Sequence, residues 1–555
     1  MAEFQPTMQQ AALLQTDESA LVIAGPGTGK TRTAIEKARV SFPRLASAAH
    51  RVLFLSFSNA AVFRLAEGAK AELTYAQRQR IAFRTYHAFA ADLLRSHGRF
   101  VGIPPVFKIM DALEEKLFVI EEGIATSAPE REEFLKHKAI QGLLGFDVLI
   151  PLAVRLLETS DRLRQIIGRA YPLIIVDEFQ DTSEVQWELL QAVGQSSQVV
   201  AFGDPNQIIY AGMHAATKRR LREFQDWKGI EPVGFSERQF RFGSPEILVF
   251  GDALLTATKY KEKEDSGVNL LDLEYRTRNR NRLRSALALI WNQLRKTAER
   301  DDTVAFLAFS NRLAEEIAVA LRNPPPGARV RIPVYARLPR DEAAYDAVLL
   351  AMAAARDFAL SGSEVACKRA AVALLAMNST WYSRAATTAK KLRALTKLLA
   401  GSRGHDDKLG ECMDELTRAT NLSDLVPMFL EASAEIDGFT ACCRRIAAHG
   451  KLRFSTVPSQ DVSLPLFDQC REARTPKGLE GYDSGRGKTH VLNYHKAKGR
   501  EFDHVVMLVD PRAENREISV DELRRLYYVC ATRAKSSLVV LYYGNDKGRV
   551  LGSVV

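Results

Sequence analysis

The chain contains 555 residues, enough for several domains, because single hydrophobic cores stop growing well below this length. Its composition, 46% hydrophobic and 26% charged, is that of a globular protein; the N-terminus lacks a signal-peptide pattern and no apolar run approaches the ~20 residues of a membrane span, so we expect a cytoplasmic protein without membrane contact. The formal net charge of +10 favours a polyanionic partner, and the six cysteines form no CxxC pair, which argues against a zinc or iron–sulfur site.

Two features near the N-terminus indicate a nucleotide. A glutamine amide in segment 5–10, which contains Gln9, can pair with the donor and acceptor of an adenine edge, although an exposed glutamine at a helix start is the alternative. Downstream, the apolar strand 21–23 leads into AGPGTGKT (24–31) and then a helix. There glycines let backbone amides face a polyphosphate, a lysine reaches the β- and γ-phosphates, and a threonine hydroxyl holds Mg²⁺; a structural glycine turn is the alternative. The residues concerned are Gly25, Gly27, Gly29, Lys30 and Thr31.

Polar loops that carry aromatic residues follow the next apolar segments. The run 52–55 is typical of a buried parallel strand, and it ends in Ser-Phe-Ser-Asn. Phe57 and Asn59 in this loop suit contact with single-stranded nucleic acid, in which an aromatic ring stacks on a base. A core phenylalanine is the alternative for Phe57. Both interpretations also apply to the segment 85–89, which contains His87.

A helical region separates these loops from a pair of acids. Apolar residues recur every three or four positions from about 95 to 168, which predicts a helical insertion. The apolar strand 173–176 follows and ends directly in Asp177 and Glu178, at the sheet edge that also carries the phosphate loop. We expect Asp177 to hold Mg²⁺ and Glu178 to orient and deprotonate the attacking water, with a solvated acidic turn as the alternative.

A further strand, 199–202, precedes two more candidates, Gln207 and Tyr210. A glutamine at a strand end can contact both the γ-phosphate and the attacking water, so Gln207 is a candidate reporter of nucleotide state. Tyr210 is the neighbour that would respond to it.

The motifs AGPGTGKT, FSNAA, TYHAF, IIVDEFQDT and GDPNQIIY, in this order, resemble those of the UvrD/Rep-like superfamily 1 helicases. The resemblance implies an α/β fold of two RecA-like P-loop lobes with parallel sheets, each lobe carrying a helical insertion. The implied division is a first ATP-binding lobe at 1–94 and 169–235, its insertion at 95–168, a second lobe at 236–340 and 486–555, and its insertion at 341–485.

The segment SERQFR (236–241) continues the resemblance. It is similar to the family motif in which the second lobe supplies an adenine-stacking aromatic residue, here Phe240, and a phosphate-binding arginine, here Arg241. By the same resemblance, Arg32 joins Gln9 and Phe240 around the adenine.

The last two motifs lie near the C-terminus. VLNYHKAKGREF (491–502) resembles the motif that binds DNA, here through His495, and the ribose, here through Glu501. LRRLYYVCATRAK (523–535) resembles the final helicase motif, in which Arg533 is the arginine finger.

The chain departs from the family pattern at several positions. Where the family places an aromatic residue and an arginine just after the tyrosine, this chain has Gly212 and Met213, so one base-stacking platform is missing. Ala60 and Gln239 stand where a lysine and an asparagine are usual. These changes bear on the grip on DNA more than on ATP binding. After the last predicted strand, 538–543, only a short tail is expected.

The resemblance implies a nucleic-acid-stimulated ATPase that moves 3′ to 5′ on single-stranded DNA, or on DNA with single-stranded ends. Mg²⁺–ATP would be clamped between the lobes, with Arg241 and Arg533 neutralising charge on the γ-phosphoryl group. Two rival hypotheses stay open. One is an ATP- and DNA-sensing subunit that unwinds little and controls a partner nuclease, resembling the helicase component of the Gabija antiphage defence system. The other is a P-loop ATPase or small-molecule kinase unrelated to nucleic acid.

Overall fold

Strands and helices alternate along much of the chain. A computed structural model describes residues 4–47, 49–122, 128–209, 219–235, 240, 242–264, 266–273, 280–297, 299, 302–322, 342–377, 388–402, 465–473, 489–511, 518–543 and 548–555. In chain order the described strands are β1 (Ala20–Ala24), β2 (Val52–Ser56), β3 (Ile81–Thr85), β4 (Lys108–Ile109), β5 (Leu143–Leu144), β6 (Leu173–Val176), β7 (Gln198–Gly203), β8 (Val233–Phe235), β9 (Val268–Leu273), β10 (Val304–Ala308), β11 (Thr489–Asn493), β12 (Phe502–Val509) and β13 (Ala534–Tyr543).

The described α-helices pack around these strands or form a separate helical part. In chain order they are α1 (Met8–Gln15), α2 (Lys30–Ser41), α3 (Asn59–Glu72), α4 (Tyr75–Arg78), α5 (Tyr86–His97), α6 (Ala112–Glu121), α7 (Ala128–Ile140), α8 (Leu149–Glu158), α9 (Asp161–Ala170), α10 (Glu184–Gly194), α11 (Arg219–Lys228), α12 (Glu246–Thr256), α13 (Arg280–Thr297), α14 (Asn311–Arg322), α15 (Glu342–Ser361), α16 (Glu364–Met377), α17 (Thr388–Ser402), α18 (Leu466–Ala473), α19 (Tyr494–Ala497), α20 (Val520–Ala531) and α21 (Gly548–Val554).

Six parallel strands form the first sheet, in the order β3-β2-β6-β7-β1-β8. Strands β2 and β6 are buried at every position, as a parallel sheet covered by helices on both faces requires. Because the strands run in one direction, their carboxyl ends meet at one edge, and the segments after β1, β2, β6 and β7 lie along it. We refer to the part of the chain built on this sheet as the first lobe.

Five parallel strands form the second sheet, in the order β11-β10-β12-β13-β9. We refer to the part built on it as the second lobe. Phe502 pairs with Ala534, so Glu501 and Arg533, each directly before its strand, lie at the amino edge of this sheet. The second-lobe core also contains Ile209, which follows β7 of the first lobe. The predicted α/β class with parallel sheets is confirmed.

The chain divides into two compact units, and both lobes belong to the first. The first unit comprises Met1–Asp92, Ala153–Pro339 and Tyr482–Val555, and the second comprises Leu93–Leu152 and Arg340–Gly481. Within the second unit, Lys116 Nζ donates to the Ala376 carbonyl at 2.7 Å, and Arg369 pairs with Asp468 at 2.8 Å. Among the described residues, no helix combines the length and apolar character needed to cross a bilayer. The four-part division drawn from the resemblance stays a prediction.

The structure differs from the sequence-based expectation at two places. The insertion predicted as helical also contains the short parallel pair β4 and β5. The expected short tail folds into α21, in which Val550, Leu551 and Val554 are fully buried. Both elements are too short for apolar periodicity to reveal them, because a two-residue strand and a seven-residue helix depend on tertiary packing.

Candidate nucleotide-binding site

The phosphate-loop sequence forms the turn between β1 and the first residue of α2. Gly27 and Gly29 have φ angles of 80° and 85°, which glycine adopts without steric penalty. Space is also limited at Gly29, where an added Cβ would lie 3.2 Å from Gln10 Nε2. The Thr28 hydroxyl donates to the Gly25 carbonyl at 2.9 Å and holds the loop. The backbone amides at this helix N-terminus are therefore fixed in an arrangement suited to phosphate.

Lys30 and Thr31 open α2 and line a cavity of about 710 Å³. The Lys30 ammonium lies over the loop, because it donates to the carbonyls of Ala24 and Gly25 at 2.6 and 2.9 Å. An ammonium in this position can transfer its hydrogen bonds to phosphate oxygens. Thr31 offers a hydroxyl oxygen, a ligand type that Mg²⁺ accepts.

Asp177 and Glu178 follow β6 directly, and both line the same cavity. Burial and the neighbouring Glu178 carboxylate raise the pKa of Asp177. Burial acts in the same direction on Glu178, but the charges of Lys498, Lys30 and Arg64 outweigh it and hold the pKa of Glu178 below its usual range. Glu178 is therefore stabilised as an anion, whereas Asp177 gains from a cation beside it. This difference suits a base next to a metal ligand.

The Glu178 backbone adopts a left-handed conformation, with φ of 53°. A non-glycine residue enters this region at a cost of about 1–2 kcal/mol, and such strain concentrates at functional sites. The side chain is held as well, because Gln180 Nε2 donates to Glu178 Oε2 at 2.6 Å. Gln180 Oε1 accepts from the Asp204 amide at 2.9 Å and so connects the end of β6 to the end of β7. The Glu178 carboxylate is thus presented in one orientation.

The second lobe contributes Arg533 and Glu501 to the lining of the cavity. Arg533 is 2% exposed, and its Nη2 donates to Gln207 Oε1 at 3.0 Å. Gln207 also lines the cavity, and its Nε2 donates to Asp204 Oδ2 at 2.7 Å. A hydrogen-bonded path therefore leads from a second-lobe guanidinium through Gln207 to the end of β7.

Aromatic and cationic side chains also line the cavity. Phe240 is 49% exposed, and its backbone amide donates to the Gly27 carbonyl at 2.8 Å, which attaches it to the phosphate loop. The Arg32 guanidinium lies 5.2 Å from the centroid of the Phe4 ring, and Arg32 Nε is 3.2 Å from Glu72 Oε1. Phe4, Arg32 and Phe240 all line the cavity, where a flat base can contact them.

The glutamine that contacts the phosphate loop is Gln10, whereas Gln9 is not among the residues that line the cavity. Gln10 is 1% exposed, and its Nε2 donates to the Thr28 carbonyl at 3.1 Å. Successive helical residues point about 100° apart, so one position decides which amide faces the loop. The spacing of Thr7 and Gln10, which form a capping box at the start of α1, is the sequence signal that identifies Gln10.

The candidate nucleic-acid residues follow strand ends in both lobes. Phe57 and His87 are half-buried and lie after the neighbouring strands β2 and β3, and Asn59 is exposed at the start of α3. His495 lies in α19, after β11 of the second sheet. Burial, with Lys498 nearby, lowers the pKa of His495, which favours its neutral form. The predicted residues outside the described part are Tyr210, Gly212, Met213, Gln239 and Arg241.

Sequence reasoning missed three cations at this site, namely Arg64, Lys498 and Lys535. Arg64 and Lys535 line the cavity. Lys498 Nζ lies 2.5 Å from Asp181 Oδ2, with the two side chains 6% and 1% exposed, and it donates to the Gln207 carbonyl at 2.5 Å. Burial raises the pKa of Asp181 to about 7, although Lys498 opposes this effect. Lys498 lies inside the motif 491–502, which also contains Glu501, and this position is the sequence signal that could have identified it.

Comparison with known proteins gives matches to both halves of the chain. Residues 9–213 match the family model described as an AAA domain, and residues 488–541 match the one described as a UvrD-like helicase C-terminal domain.

Several curated proteins are similar to the chain. The probable DNA helicase II homolog of Mycoplasma capricolum is 25% identical, with 47% of this chain and 42% of the relative aligned. The ATP-dependent DNA helicase Rep of Escherichia coli is 24% identical, over 45% and 43% of the two chains. The ATP-dependent DNA helicase PcrA of Leuconostoc citreum is 26% identical, over 39% and 34%. The chain thus spans less than half the length of these relatives.

Proposed function

We propose that the chain is a member of the UvrD/Rep-like superfamily 1 helicase family and that it hydrolyses ATP to move along single-stranded DNA and to separate duplex strands. The observation that supports this most directly is the shared cavity, which is lined by Lys30 and Glu178 of the first lobe and by Glu501 and Arg533 of the second. A nucleotide in this cavity contacts both lobes, so its hydrolysis and release can change how they meet. A motor that steps along a strand requires such coupling.

ATP with Mg²⁺ is the cofactor pair that these side chains fit. Lys30 would bind the β- and γ-phosphates, while Thr31 and Asp177 would hold Mg²⁺ through oxygen atoms, its preferred ligands. Asp177 fits this role because burial raises its pKa, and a cation beside it favours the ionised form. When bound, Mg²⁺ supplies charge neutralisation at the phosphates. Glu178, held ionised by surrounding cations, would orient and deprotonate the attacking water.

Arg533 would act as the arginine finger from the second lobe. Its hydrogen bond to Gln207 supports this role, because the same amide is proposed to sense the γ-phosphate. Arg241 would supply a second guanidinium. At the other end of the nucleotide, Phe240 would stack on the adenine, with Arg32 beside it.

Single-stranded DNA is the proposed polymer, and the polarity expected from the family resemblance is 3′ to 5′. Phe57 and Asn59 follow β2 and would contact the strand from the first lobe, together with His87 after β3. His495 would contact it from the second lobe. A neutral, half-buried imidazole can hydrogen-bond to a base or sugar without requiring a phosphate.

The first test measures ATP turnover by the purified chain with and without single-stranded DNA. Arg533→Ala should reduce the stimulated rate by about 10³ to 10⁵, the range for arginine fingers, while binding of an ATP analogue is retained. Arg524→Ala is the matched control, because Arg524 lies on α20, the helix that precedes Arg533, and pairs with Asp521 instead of lining the cavity. Unchanged turnover in the Arg533 variant would contradict the assignment.

A second test separates a motor from a sensor. Strand displacement on duplexes with a 3′ or a 5′ single-stranded tail reports both activity and polarity. The alternative role, an ATP- and DNA-sensing subunit of an antiphage system that controls a nuclease, is motivated by Gly212 and Met213 in place of a base-stacking platform. It predicts DNA-stimulated hydrolysis with little displacement by the isolated chain. Hydrolysis that DNA and RNA both fail to stimulate would favour a nucleic-acid-independent ATPase.

A further inference from the structure

Arg64 lies on helix α3, which connects segment 57–59 to the nucleotide cavity. Because this segment is proposed to contact the DNA strand, we call it the strand-contact loop. Helix α3 begins at Asn59, directly after the loop that carries Phe57, and Ser58 caps it by accepting from the Ala61 amide at 3.2 Å. Arg64 follows in the second turn and lines the cavity. One rigid element therefore reaches both sites.

The Arg64 guanidinium also lies against the second lobe, at Gly499. A Cβ built on Gly499 would lie 2.9 Å from Arg64 Nη2 and 3.6 Å from its Cζ, so a side chain at this position would displace the guanidinium. Gly499 has φ of 76°, which also favours glycine. It lies between Lys498, which pairs with Asp181, and Glu501, which lines the cavity. Arg64 is thus packed against the turn that carries two second-lobe residues of the site.

The charge of Arg64 acts on the carboxylates at the same time. Burial raises the pKa of Asp177, and Arg64 and Lys30 oppose that rise. Arg64 is also among the cations that hold Glu178 ionised. Within the described residues, Arg64 Nε is buried and has no hydrogen-bond acceptor. The contact with the Gly499 turn and the attraction to the two carboxylates both act on the guanidinium.

We propose that Arg64 is a positioning residue that couples occupancy of the strand-contact loop to ATP hydrolysis, because its guanidinium joins α3 to the Gly499 turn beside the carboxylates. A DNA strand bound at Phe57 and Asn59 would fix the position of the first turn of α3. Arg64 would then hold the Gly499 turn at a fixed position relative to Asp177 and Glu178. This inference rests on the proposed ATPase function and concerns its control by DNA.

The test compares ATP turnover with and without an oligothymidylate for the wild type, Arg64→Ala and Arg64→Lys. Coupling between sites is typically worth about 5- to 150-fold, so Arg64→Ala should lower the stimulation of ATP turnover by DNA by that factor. Loss of the Arg64 charge beside Glu178 should lower the basal and the stimulated rates alike, so the measured quantity is the ratio of the two rates, which should fall by about 5- to 150-fold. Arg64→Lys should restore part of the stimulation. Arg39→Ala is the matched control, since Arg39 pairs with Glu36 on neighbouring α2 and does not line the cavity.

Gly499→Ala provides a second route to the same effect. Its Cβ should displace the Arg64 guanidinium and reduce stimulation as Arg64→Ala does. The double variant should then be no more impaired than the more impaired single variant, because both changes remove one contact. Thermal unfolding identifies any variant that fails to fold, and the Arg64→Lys comparison tests the coupling without Gly499→Ala.

The outcomes distinguish this inference from the proposed function. Full stimulation in Arg64→Ala, an equal fall in the basal and stimulated rates, a change only in DNA affinity, or additive effects of the two substitutions would each overturn the coupling role. A wild-type chain that hydrolyses no ATP with or without DNA would instead overturn the proposed function itself.

Discussion

The buried pair between Lys498 and Asp181 makes stability depend on pH in a measurable way. Asp181 is 1% exposed, and burial raises its pKa to about 7 even with the Lys498 ammonium 2.5 Å away. Lys498→Met keeps an unbranched side chain but removes the charge. Without that cation, burial and the nearby carboxylates of Glu178 and Asp177 should raise the pKa of Asp181 further.

The direction of this pH dependence follows from the linkage between protonation and folding. In the wild type, the pKa of folded Asp181, about 7, lies above the ordinary value of 3.8. The stability contributed by its protonated form is complete below pH 3.8 and is lost as the pH rises through 7. In Lys498→Met, the free energy of unfolding should continue to fall above pH 7, because the ionised Asp181 carboxylate has no cation beside it. The destabilisation should therefore be constant near pH 6 and grow above pH 7 by about 1.4 kcal/mol per pH unit.

Thermal unfolding of both proteins between about pH 6 and 8.5 provides the assay for this linkage. A change of about 1.4 kcal/mol shifts the Tm of a domain of roughly 150–250 residues by about 3–5 °C. The control is the double variant Asp181→Asn with Lys498→Met, which lacks the Asp181 carboxyl and should lose the growth of the destabilisation above pH 7. A Tm difference that is the same across this range, or a slope that persists in the double variant, would refute the reasoning.

Three substitutions in the cavity and the strand-contact loop should separate chemistry, nucleotide binding and DNA binding. Glu178→Gln should lower the stimulated kcat by about 10²–10⁴ while an ATP analogue still binds, as measured by turnover and fluorescence titration. Phe240→Ala should raise the KM for ATP at least about fivefold, as expected for loss of a base–aromatic stack, whereas Phe240→Tyr should not. Phe57→Ala should weaken single-stranded DNA binding by about 1–3 kcal/mol in a titration and leave the DNA-free rate unchanged; a changed DNA-free rate would contradict its assignment.

The sequence is most informative where short apolar runs end in polar residues. The runs before Gly25, Phe57 and Asp177 predict parallel strands, and such strands bring their following loops to one sheet edge. The six-stranded sheet confirms this class of fold. The convergence of Lys30 and Asp177 in one cavity could therefore be anticipated from local pattern and a general rule of sheet topology.

Contacts between distant segments could not be predicted in the same way. Lys498 and Asp181 pair across the two lobes, and no periodicity in either segment encodes that distance. Arg64 appears in sequence as an ordinary helical arginine, and only tertiary packing brings it to Gly499. The difference between Gln9 and Gln10 depends on helix register, which composition alone leaves open.

One short segment, 207–209, makes several of the contacts between the lobes near the cavity. Lys498 Nζ and Arg525 Nε donate to the carbonyls of the first and second residues of segment 207–209, at 2.5 and 3.0 Å. Arg533 Nη2 donates to the Gln207 side chain at 3.0 Å, and the third residue is buried in the second-lobe core. The second lobe thus contacts the main chain of segment 207–209, the Gln207 side chain and the apolar side chain of the third residue. If Gln207 shifts toward a γ-phosphate, the second lobe must shift with it or lose these contacts.

This arrangement bears on the departures at Gly212 and Met213. The missing base-stacking platform follows segment 207–209 in the chain, whereas the contacts to Lys498, Arg525 and Arg533 are made within it. The proposed coupling of nucleotide state to lobe closure therefore would not require that platform. What the platform would add is a contact of about 1–3 kcal/mol with one base. The chain should accordingly retain DNA-stimulated hydrolysis while holding its strand more weakly, so the ratio of ATP consumed to duplex separated is the quantity in which the departures should appear.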